Sequence, residues 1–240
     1  METWKQALWL AKFELRKSAV NIFSCWIVLS IFAFIYLTSF KNYLESNYVG
    51  FDIFFLFIFI FAPFWLRPKH FQYKKISGHV YASSTLVMQT QLPIPKIALA
   101  KSRLLIYIAY FLPYTLTAFT FYYLLDSSFR AQIDPQTYII FVLIWICYGL
   151  YFGISLPASD AGDFMNTKTV FYYFLLTFAI IMALFLLFYL VFGYGIVAWT
   201  LMLAREWPIP TIFISVLLTT TSWKYWISHM EKSIKKLDYY

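Results

Sequence analysis

Uncharged apolar runs long enough to cross a bilayer recur along this chain, and they constrain its fold more than any other feature. The first run, residues 19–40, contains no Asp, Glu, Lys or Arg. A transmembrane helix needs about 20 apolar residues to cross about 30 Å of hydrocarbon. Hydrophobic residues make up 62% of the chain and charged residues 12%, whereas a soluble domain has about 45–50% and about 25%. The sequence therefore predicts an all-α, polytopic membrane protein with one transmembrane domain over residues 1–240.

The apolar runs predict six transmembrane helices. Their expected bounds are 19–40, 49–66, 104–125, 137–156, 169–192 and 207–227. A further apolar segment, 193–204, is too short to span, and we expect it to be re-entrant or interfacial. Residues 1–18 predict an amphipathic helix, in which Trp4 and Leu8 lie on one face and Lys5 on another. Such a helix typically lies in the membrane interface, and packing on a cytosolic partner is the alternative.

The distribution of Lys and Arg sets the predicted orientation. With six spans, both termini share one side, which then holds 16 of the 19 Lys and Arg residues. Loops with an excess of Lys and Arg stay in the cytoplasm, so we expect both termini to be cytoplasmic in a bacterial plasma membrane. A seventh span would move the basic C-terminal tail outside, which favours six. The formal net charge of +8 then reflects topology and attraction to anionic lipid, and no nucleic-acid partner is expected.

Ionisable side chains are missing from the middle of every predicted span. Ion-coupled and proton-coupled transporters normally keep such a side chain inside the membrane, which argues against that class. The sequence has no Gly-rich phosphate-binding loop followed by Lys. His70, His79 and His229 do not have metal-ligand spacing. We therefore expect no catalytic residue, no bound cofactor and no metal in this chain.

The longest polar stretch is a basic loop, residues 67–103, which has seven Lys or Arg residues and no acidic one. Residues 81–91 predict a short helix with a serine N-cap. The run Leu92-Pro93-Ile94-Pro95 ends this helix, because a residue that precedes proline avoids the helical region. A second helix is expected to restart at Lys96 and to continue into the third span.

This loop resembles the first cytoplasmic loop of type-2 ABC exporter permeases. That family has a short helix, a Leu-Pro-Ile or Leu-Pro-Val turn, and an apolar helix with a basic residue at the membrane surface. Thr85-Leu86 and Leu92-Pro93-Ile94 match at the same separation, and Lys101 and Arg103 match the basic residue. The span count and the amphipathic N-terminal helix also fit. The chain departs from the family in having no acid in the loop and Ser84 where a glycine is usual.

The resemblance implies that the chain is the membrane-spanning permease of an ATP-driven exporter and is not itself an enzyme. A separate ABC ATPase subunit would bind ATP and Mg²⁺ and would dock on the loop. The residues expected to couple the two subunits are Thr85, Leu86, Met88, Gln91, Leu92, Pro93, Ile94 and Lys96. A second permease subunit, identical or different, would complete a central path.

In that family the first, second and fifth spans line the path. The corresponding positions here are Asn21, Ser24, Tyr36, Phe55, Phe59, Tyr172 and Tyr173. A charge-free path rich in aromatic rings suits an amphipathic or apolar substrate such as a peptide. Export of polysaccharide, teichoic acid or a lipid-linked molecule is one alternative, and a non-transport membrane scaffold or regulator is another.

Hydroxyl side chains recur at helical spacing in two other spans. Tyr107 and Tyr114 lie in the third, and Thr219 in the sixth. The fourth span has Gly149 and Gly153, a small-xxx-small pattern that lets helices approach closely. We interpret these residues as helix–helix contacts, and a lining of the path is the alternative.

Overall fold

The computed structural model describes residues 2–46, 48–61, 73–77, 80–164 and 167–236, and α-helices dominate it. They are Glu2–Lys17 (α1), Ala19–Leu37 (α2), Phe40–Ser46 (α3), Val49–Leu56 (α4), Ser84–Thr90 (α5), Lys96–Leu125 (α6), Ser127–Gln132 (α7), Pro135–Gly153 (α8), Ser155–Ser159 (α9), Thr167–Leu187 (α10), Ile196–Glu206 (α11) and Pro208–Lys236 (α12). The π-helical turns Phe57–Phe61 and Phe188–Phe192 extend α4 and α10. The predicted all-α class is confirmed.

Four helices among the described residues are long and apolar enough to cross a membrane. They cover Ala19–Ser46, Lys96–Leu125, Pro135–Ser159 and Phe171–Phe192. These ranges overlap the first, third, fourth and fifth predicted spans. The chain therefore has the helices of a membrane-embedded protein.

The other two predicted spans are not among these four. Gly50–Phe59 is a shorter apolar helix, and residues 62–66 of the second predicted span lie outside the described residues. The sixth predicted span falls within α12, which is 29 residues long. Its run of Thr and Ser residues and its basic last turns lower its hydropathy, so length and hydropathy alone do not select it. The count of six stays a prediction.

Aromatic rings build the main core, where α2, α3 and α4 meet α6 and α8. Phe55 stacks between neighbours: its ring centre lies 4.6 Å from that of Phe59 and 4.5 Å from that of Trp145. Phe40 contacts Phe129 at 5.4 Å. Offset and edge-to-face aromatic pairs contribute about 0.5–1.5 kcal/mol each beyond the area that they bury. The 27 Phe and 20 Tyr residues thus supply packing between helices as well as lipid-facing surface.

Small residues and hydroxyls hold α8 against α6 and α12. A Cβ atom at Gly149 would collide with the Phe111 ring, and one at Gly153 would collide with Tyr107. The Tyr107 hydroxyl donates to the Gly149 carbonyl at 2.9 Å. On the other side of α8, Thr219 Oγ1 donates to the Cys147 carbonyl at 3.1 Å. These contacts agree with helix–helix packing, the first interpretation of the small-xxx-small pattern.

Helix α11 corresponds to the apolar segment that was expected to be re-entrant or interfacial, and a carboxylate from another helix caps it. Asp52 Oδ1 accepts hydrogen bonds from Val197 N and from the Tyr43 hydroxyl, both at 2.8 Å. The same hydroxyl accepts from Ala198 N at 3.1 Å. The first N–H groups of a helix have no partner inside it, and they favour a negative charge. Asp52, which is 1% exposed, therefore fixes the start of α11 against α4.

A three-stranded antiparallel sheet, which the sequence did not predict, connects two loops on one side of the helices. Its strands are Tyr73–Ser77 (β1), Val80–Ser83 (β2) and Asp163–Phe164 (β3), with β2 in the centre. Ser83 N also donates to the Asp160 carbonyl at 3.2 Å. The segment before α5 is thereby joined to the segment after α9.

The side chain of Asp134, the residue just before α8, caps the N-terminus of that helix. Asp134 Oδ2 accepts a hydrogen bond from Thr137 N at 2.9 Å, and Pro135 occupies the first helical position. This backbone hydrogen bond from Thr137 lowers the pKa of the Asp134 carboxyl below its usual 3.8. Asp134 lies in the loop before a membrane-crossing helix, so it marks where that helix begins.

Candidate functional site

Helix α5 and the turn after it present an apolar surface to solvent. Met88 is 70% exposed and Leu92 is 46% exposed, and Gln91 and Pro93 are exposed beside them. The chain turns sharply here because Pro93 and Pro95 exclude a continuous helix, and α6 begins at Lys96. Exposed apolar side chains that lie next to one another are a candidate surface for contact with another protein.

The opposite side of α5 is packed against the rest of the protein. Leu86 is fully buried in an apolar cluster to which α1, α6 and α12 contribute. The other buried members of that cluster are Leu10, Leu99, Ala100, Ala158, Ala161, Met230 and Ile234. Ile94 packs on the cluster from the turn, and Thr85 and Lys96 are partly buried. The eight residues predicted from the sequence thus divide into an exposed set and an anchored set.

Arg103 lies under α5 and joins three helices through one guanidinium group. Its Nη2 is 2.6 Å from Oε2 of Glu14 in α1. The same nitrogen donates a hydrogen bond of 3.1 Å to Oε1 of Gln89 in α5. Arg103 itself belongs to α6, so α5, the N-terminal helix and a helix long and apolar enough to cross a membrane share this contact.

Because the Arg103–Glu14 contact is buried, its contribution to stability depends closely on its geometry. The Arg103 and Glu14 side chains are 0% and 2% exposed. Removing an ion from water costs several kcal/mol, which its partner offsets only while the geometry is kept. Nε and Nη1 of Arg103 and Oε2 of Glu14 have no hydrogen-bond partner in the described part of the chain, so the 2.6 Å contact between Nη2 and Oε2 is an ion pair without hydrogen-bond geometry. The compensation therefore rests on Glu14 and Gln89, and a shift of α5 or α1 relative to α6 would weaken it.

The N-terminal helix is also fixed at its first turn. Lys101 Nζ donates to Thr3 Oγ1 at 2.9 Å and lies 4.5 Å from the centre of the Trp4 ring. Trp4 in turn makes an edge-to-face contact with Trp223 of α12. Helix α1 is therefore present where the sequence predicted it, and one of its sides is buried against the chain's own α6. Its location in the membrane interface stays a prediction.

The residues proposed for a substrate path fall in different environments. Phe55 and Phe59 are buried in the aromatic core. Tyr36 stacks on Phe51 beside them, with ring centres 4.6 Å apart, and its hydroxyl donates to the Phe51 carbonyl. The remaining four residues are exposed: Asn21, Ser24, Tyr172 and Tyr173. Two of these four lie on α2 and two on α10.

No group of three or more His, Cys, Asp or Glu side chains in the described ranges is arranged to hold a metal ion. His229 stacks against the Tyr225 ring, with centres 6.1 Å apart. His70 and His79 lie outside the described residues, as does the first part of the basic loop, residues 67–72.

Glu14 and Gln89 belong to the site, and the sequence did not single them out. Glu14 continues the stripe of Ala7 and Ala11 on α1, at positions i, i+4 and i+7. An acid in line with two small buried residues is a signal that could have located it. Gln89 follows Leu86 by three residues on a helix of only seven, which carries no comparable signal.

No protein-family profile matches this sequence, and the searches of curated proteins and of solved structures also returned no match. The four long apolar helices are typical of a membrane-embedded protein, and the described part of the chain is predominantly helical.

Proposed function

We propose that this chain is the membrane-spanning subunit of an ATP-driven exporter, and that α5 with the following turn is the surface on which a separate ABC ATPase subunit docks. The observation that supports this most is the arrangement of the loop. Exposed Met88 and Leu92 stand above a buried contact between Gln89, Arg103 and Glu14. A surface that only joined two spans would need neither the exposed apolar side chains nor the buried ion pair.

The buried contact also gives a mechanical route. A partner that moves α5 must move Arg103 with it, because separating a buried charge from its partners is unfavourable by several kcal/mol. Arg103 lies eight positions into α6, a continuous helix of 30 residues. Force applied to the loop would therefore reach a helix that crosses the membrane.

The proposal includes six spans with both termini in the cytoplasm of a bacterial cell. It also includes a second permease subunit and a substrate path along α2, α4 and α10. The exposed Tyr172 and Tyr173 rings and the absence of charge in α10 after Lys168 support an amphipathic or apolar substrate such as a peptide. ATP and Mg²⁺ would be bound by the partner, so this chain supplies docking and a path.

The first experiment is purification of the tagged full-length chain from cells that also express a candidate ABC ATPase from a neighbouring reading frame. The ATPase should no longer copurify with the double variant Met88→Asp/Leu92→Asp, because two negative charges on this exposed apolar surface prevent docking. Leu86 and Arg103 are unchanged in this variant, so the position of α5 should be kept. Tyr48→Asp is the matched control, since Tyr48 is 67% exposed and lies on the opposite side in the proposed topology.

A second variant separates docking from coupling. Deleting 92–95, or changing Lys96→Glu, should leave membrane insertion intact and remove stimulation of ATP hydrolysis by candidate peptides. Retention of the ATPase by Met88→Asp/Leu92→Asp, at a level equal to that of Tyr48→Asp, would exclude α5 as the docking surface. Normal transport after deletion of 92–95 would exclude the coupling role, and a scaffold or regulator would then be favoured.

A further inference from the structure

A groove that the exporter proposal does not use runs along the seam between α8 and α12. It consists of two open cavities, of about 480 Å³ and about 340 Å³, and Tyr151 lines both. On α12 the lining extends from Pro210 to Trp226, and Trp199, Thr200 and Leu203 of α11 also line the larger cavity. At about 1.5 Å per residue the α12 part is about 24 Å of helix, somewhat less than the hydrocarbon thickness of about 30 Å.

The two parts of the groove differ in chemistry. The larger part is apolar, and Ile144, Ile214 and Leu218 are among its lining residues. The smaller part is lined by Phe152 and by side chains that carry a hydroxyl or an indole N–H, among them Ser155 and Tyr225. Tyr and Trp side chains line both parts, so the parts differ in their share of hydroxyl-bearing residues, which is higher in the smaller part.

The smaller part lies at the basic end of the molecule. Ser155 is the first residue of α9. Strand β3 follows α9 and pairs with β2, the strand that precedes α5. Trp223, one turn before Trp226, contacts Trp4 of the N-terminal helix. These contacts put the smaller part of the groove on the side that the proposed topology assigns to the cytoplasm.

Helix α12 continues past the groove with two lysines and a histidine on the same face. His229, Lys232 and Lys236 follow Tyr225 at intervals of four, three and four residues, the spacing of one helix face. All three are exposed. The buried Met230 and Ile234 show that the opposite face of these turns packs on the protein. A positive stripe thus begins where the polar part of the groove ends.

We propose that this groove binds one anionic phospholipid, with an acyl chain along the apolar part and its phosphate at the stripe of His229, Lys232 and Lys236, in which the two lysines supply the positive charge. Burial of an acyl chain and attraction between basic residues and anionic headgroups act together in such a site. A neutral lipid would gain only the apolar part. The proposal concerns a lateral surface of the chain and does not depend on the exporter assignment.

The test is native mass spectrometry of the purified full-length protein, which counts retained lipids after exchange into detergent with phosphatidylglycerol or phosphatidylcholine. Phosphatidylglycerol should be retained in preference to phosphatidylcholine. Lys232→Gln/Lys236→Gln should reduce its retention by about tenfold. The control Lys224→Gln/Lys235→Gln removes the same charge from other faces of α12, and it should retain the lipid within about twofold of the unaltered chain.

A variant in the apolar part tests the acyl chain separately. Leu218→Trp should fill the groove and reduce the retention of both lipids, with thermal unfolding of the protein as the check on its fold. Equal losses in the two charge-removal variants would overturn the proposal. So would displacement of the lipid by inorganic phosphate alone, which would indicate an anion site without an acyl chain. A dimer in the mass spectrum that Leu218→Trp converts to a monomer would also overturn the proposal, because the groove would then bind a second copy of this chain.

Discussion

Arg103 Nη2 lies 2.6 Å from the Glu14 carboxylate, and water reaches neither side chain. The two residues are 89 positions apart in the sequence, yet the ion pair sets the position of the N-terminal helix on α6. Gln89 of α5 binds the same guanidinium group. The Arg103–Glu14 pair therefore also fixes the position of α5, which carries the exposed Met88. Stability and the proposed coupling therefore depend on one group.

Removal of one partner of the Arg103–Glu14 ion pair should destabilise the protein strongly. We expect Glu14→Ala to lower the free energy of unfolding by about 3–5 kcal/mol, because Arg103 is left as a buried charge without its counter-ion. Thermal unfolding in detergent measures this. The double variant Glu14→Leu/Arg103→Met removes both charges, and it should recover most of the loss. If it also binds the ATPase without stimulation, the pair acts in coupling; a double variant as unstable as Glu14→Ala would contradict the ion-pair interpretation.

Gly153 should tolerate no side chain while Tyr107 is present. Gly153→Ala places a Cβ atom against the Tyr107 ring, and overpacking of this kind costs about 1–3 kcal/mol. The measurement is a double-mutant cycle on unfolding temperature. Tyr107→Ala makes space, so the double variant Tyr107→Ala/Gly153→Ala should lose less than the sum of the single losses. Strict additivity would show that the two residues do not interact.

The cap on α11 should depend more on the acceptor at position 52 than on its charge. Asp52→Ala leaves Val197 N without its buried acceptor, at a cost of about 1–3 kcal/mol, and should expose Arg205 to trypsin. Asp52→Asn keeps a carbonyl oxygen for the same bond and should resist cleavage. Comparable digestion rates for the two variants would show that α11 is held by other contacts.

The proposed topology predicts where reporters will lie. A reporter fused after residue 96 or at the C-terminus should be cytoplasmic, and one placed at Arg130 or Arg205 should be outside, since the inner loops hold most Lys and Arg. Activity of an alkaline phosphatase fusion, compared with a fluorescent protein fusion at the same site, measures this. A C-terminus outside the cell would indicate that α11 spans the membrane.

Acid should remove the contribution of the Asp134 cap only below the ordinary carboxyl range. The hydrogen bond from Thr137 N holds the pKa of Asp134 below 3.8 in the folded protein. The carboxylate therefore stabilises the fold above the unfolded pKa, and this stabilisation is lost as pH falls through the lower, folded pKa. The difference in unfolding temperature between the unaltered chain and Asp134→Ala should be constant from pH 7 to about pH 5 and shrink below about pH 4. Asp134→Asn, an uncharged cap, should show no such change.

The sequence predicted those parts of the fold that depend on local patterns. The run from Ala19 and the restart at Lys96 after two prolines follow from hydropathy and from backbone sterics, and the helices begin at these residues. The small sheet was missed, because strand Asp163–Phe164 has two residues and pairs with a strand about 80 positions earlier. Such pairing leaves no periodic signal in a single sequence.

The site was predictable in part for the same reason. Met88 and Leu92 follow from the motif of the loop, and they lie exposed on one surface. The contact beneath them joins positions 14, 89 and 103, which only the packing of three helices brings together. Phe55 and Phe59 illustrate the opposite case, since aromatic side chains in a span are equally suited to a path and to a core, and here they are in the core.

The bond between Asp52 and Val197 crosses 145 positions of the chain, and this has a consequence for biosynthesis. A ribosome delivers Asp52 long before Val197, so during synthesis the carboxylate has the Tyr43 hydroxyl as a donor but not the N–H group of α11. A carboxylate that lacks one of its donors keeps contact with water. The final burial of Asp52 therefore waits for Ile196 and the residues after it, and a nascent chain that stops short of α11 keeps this acid exposed.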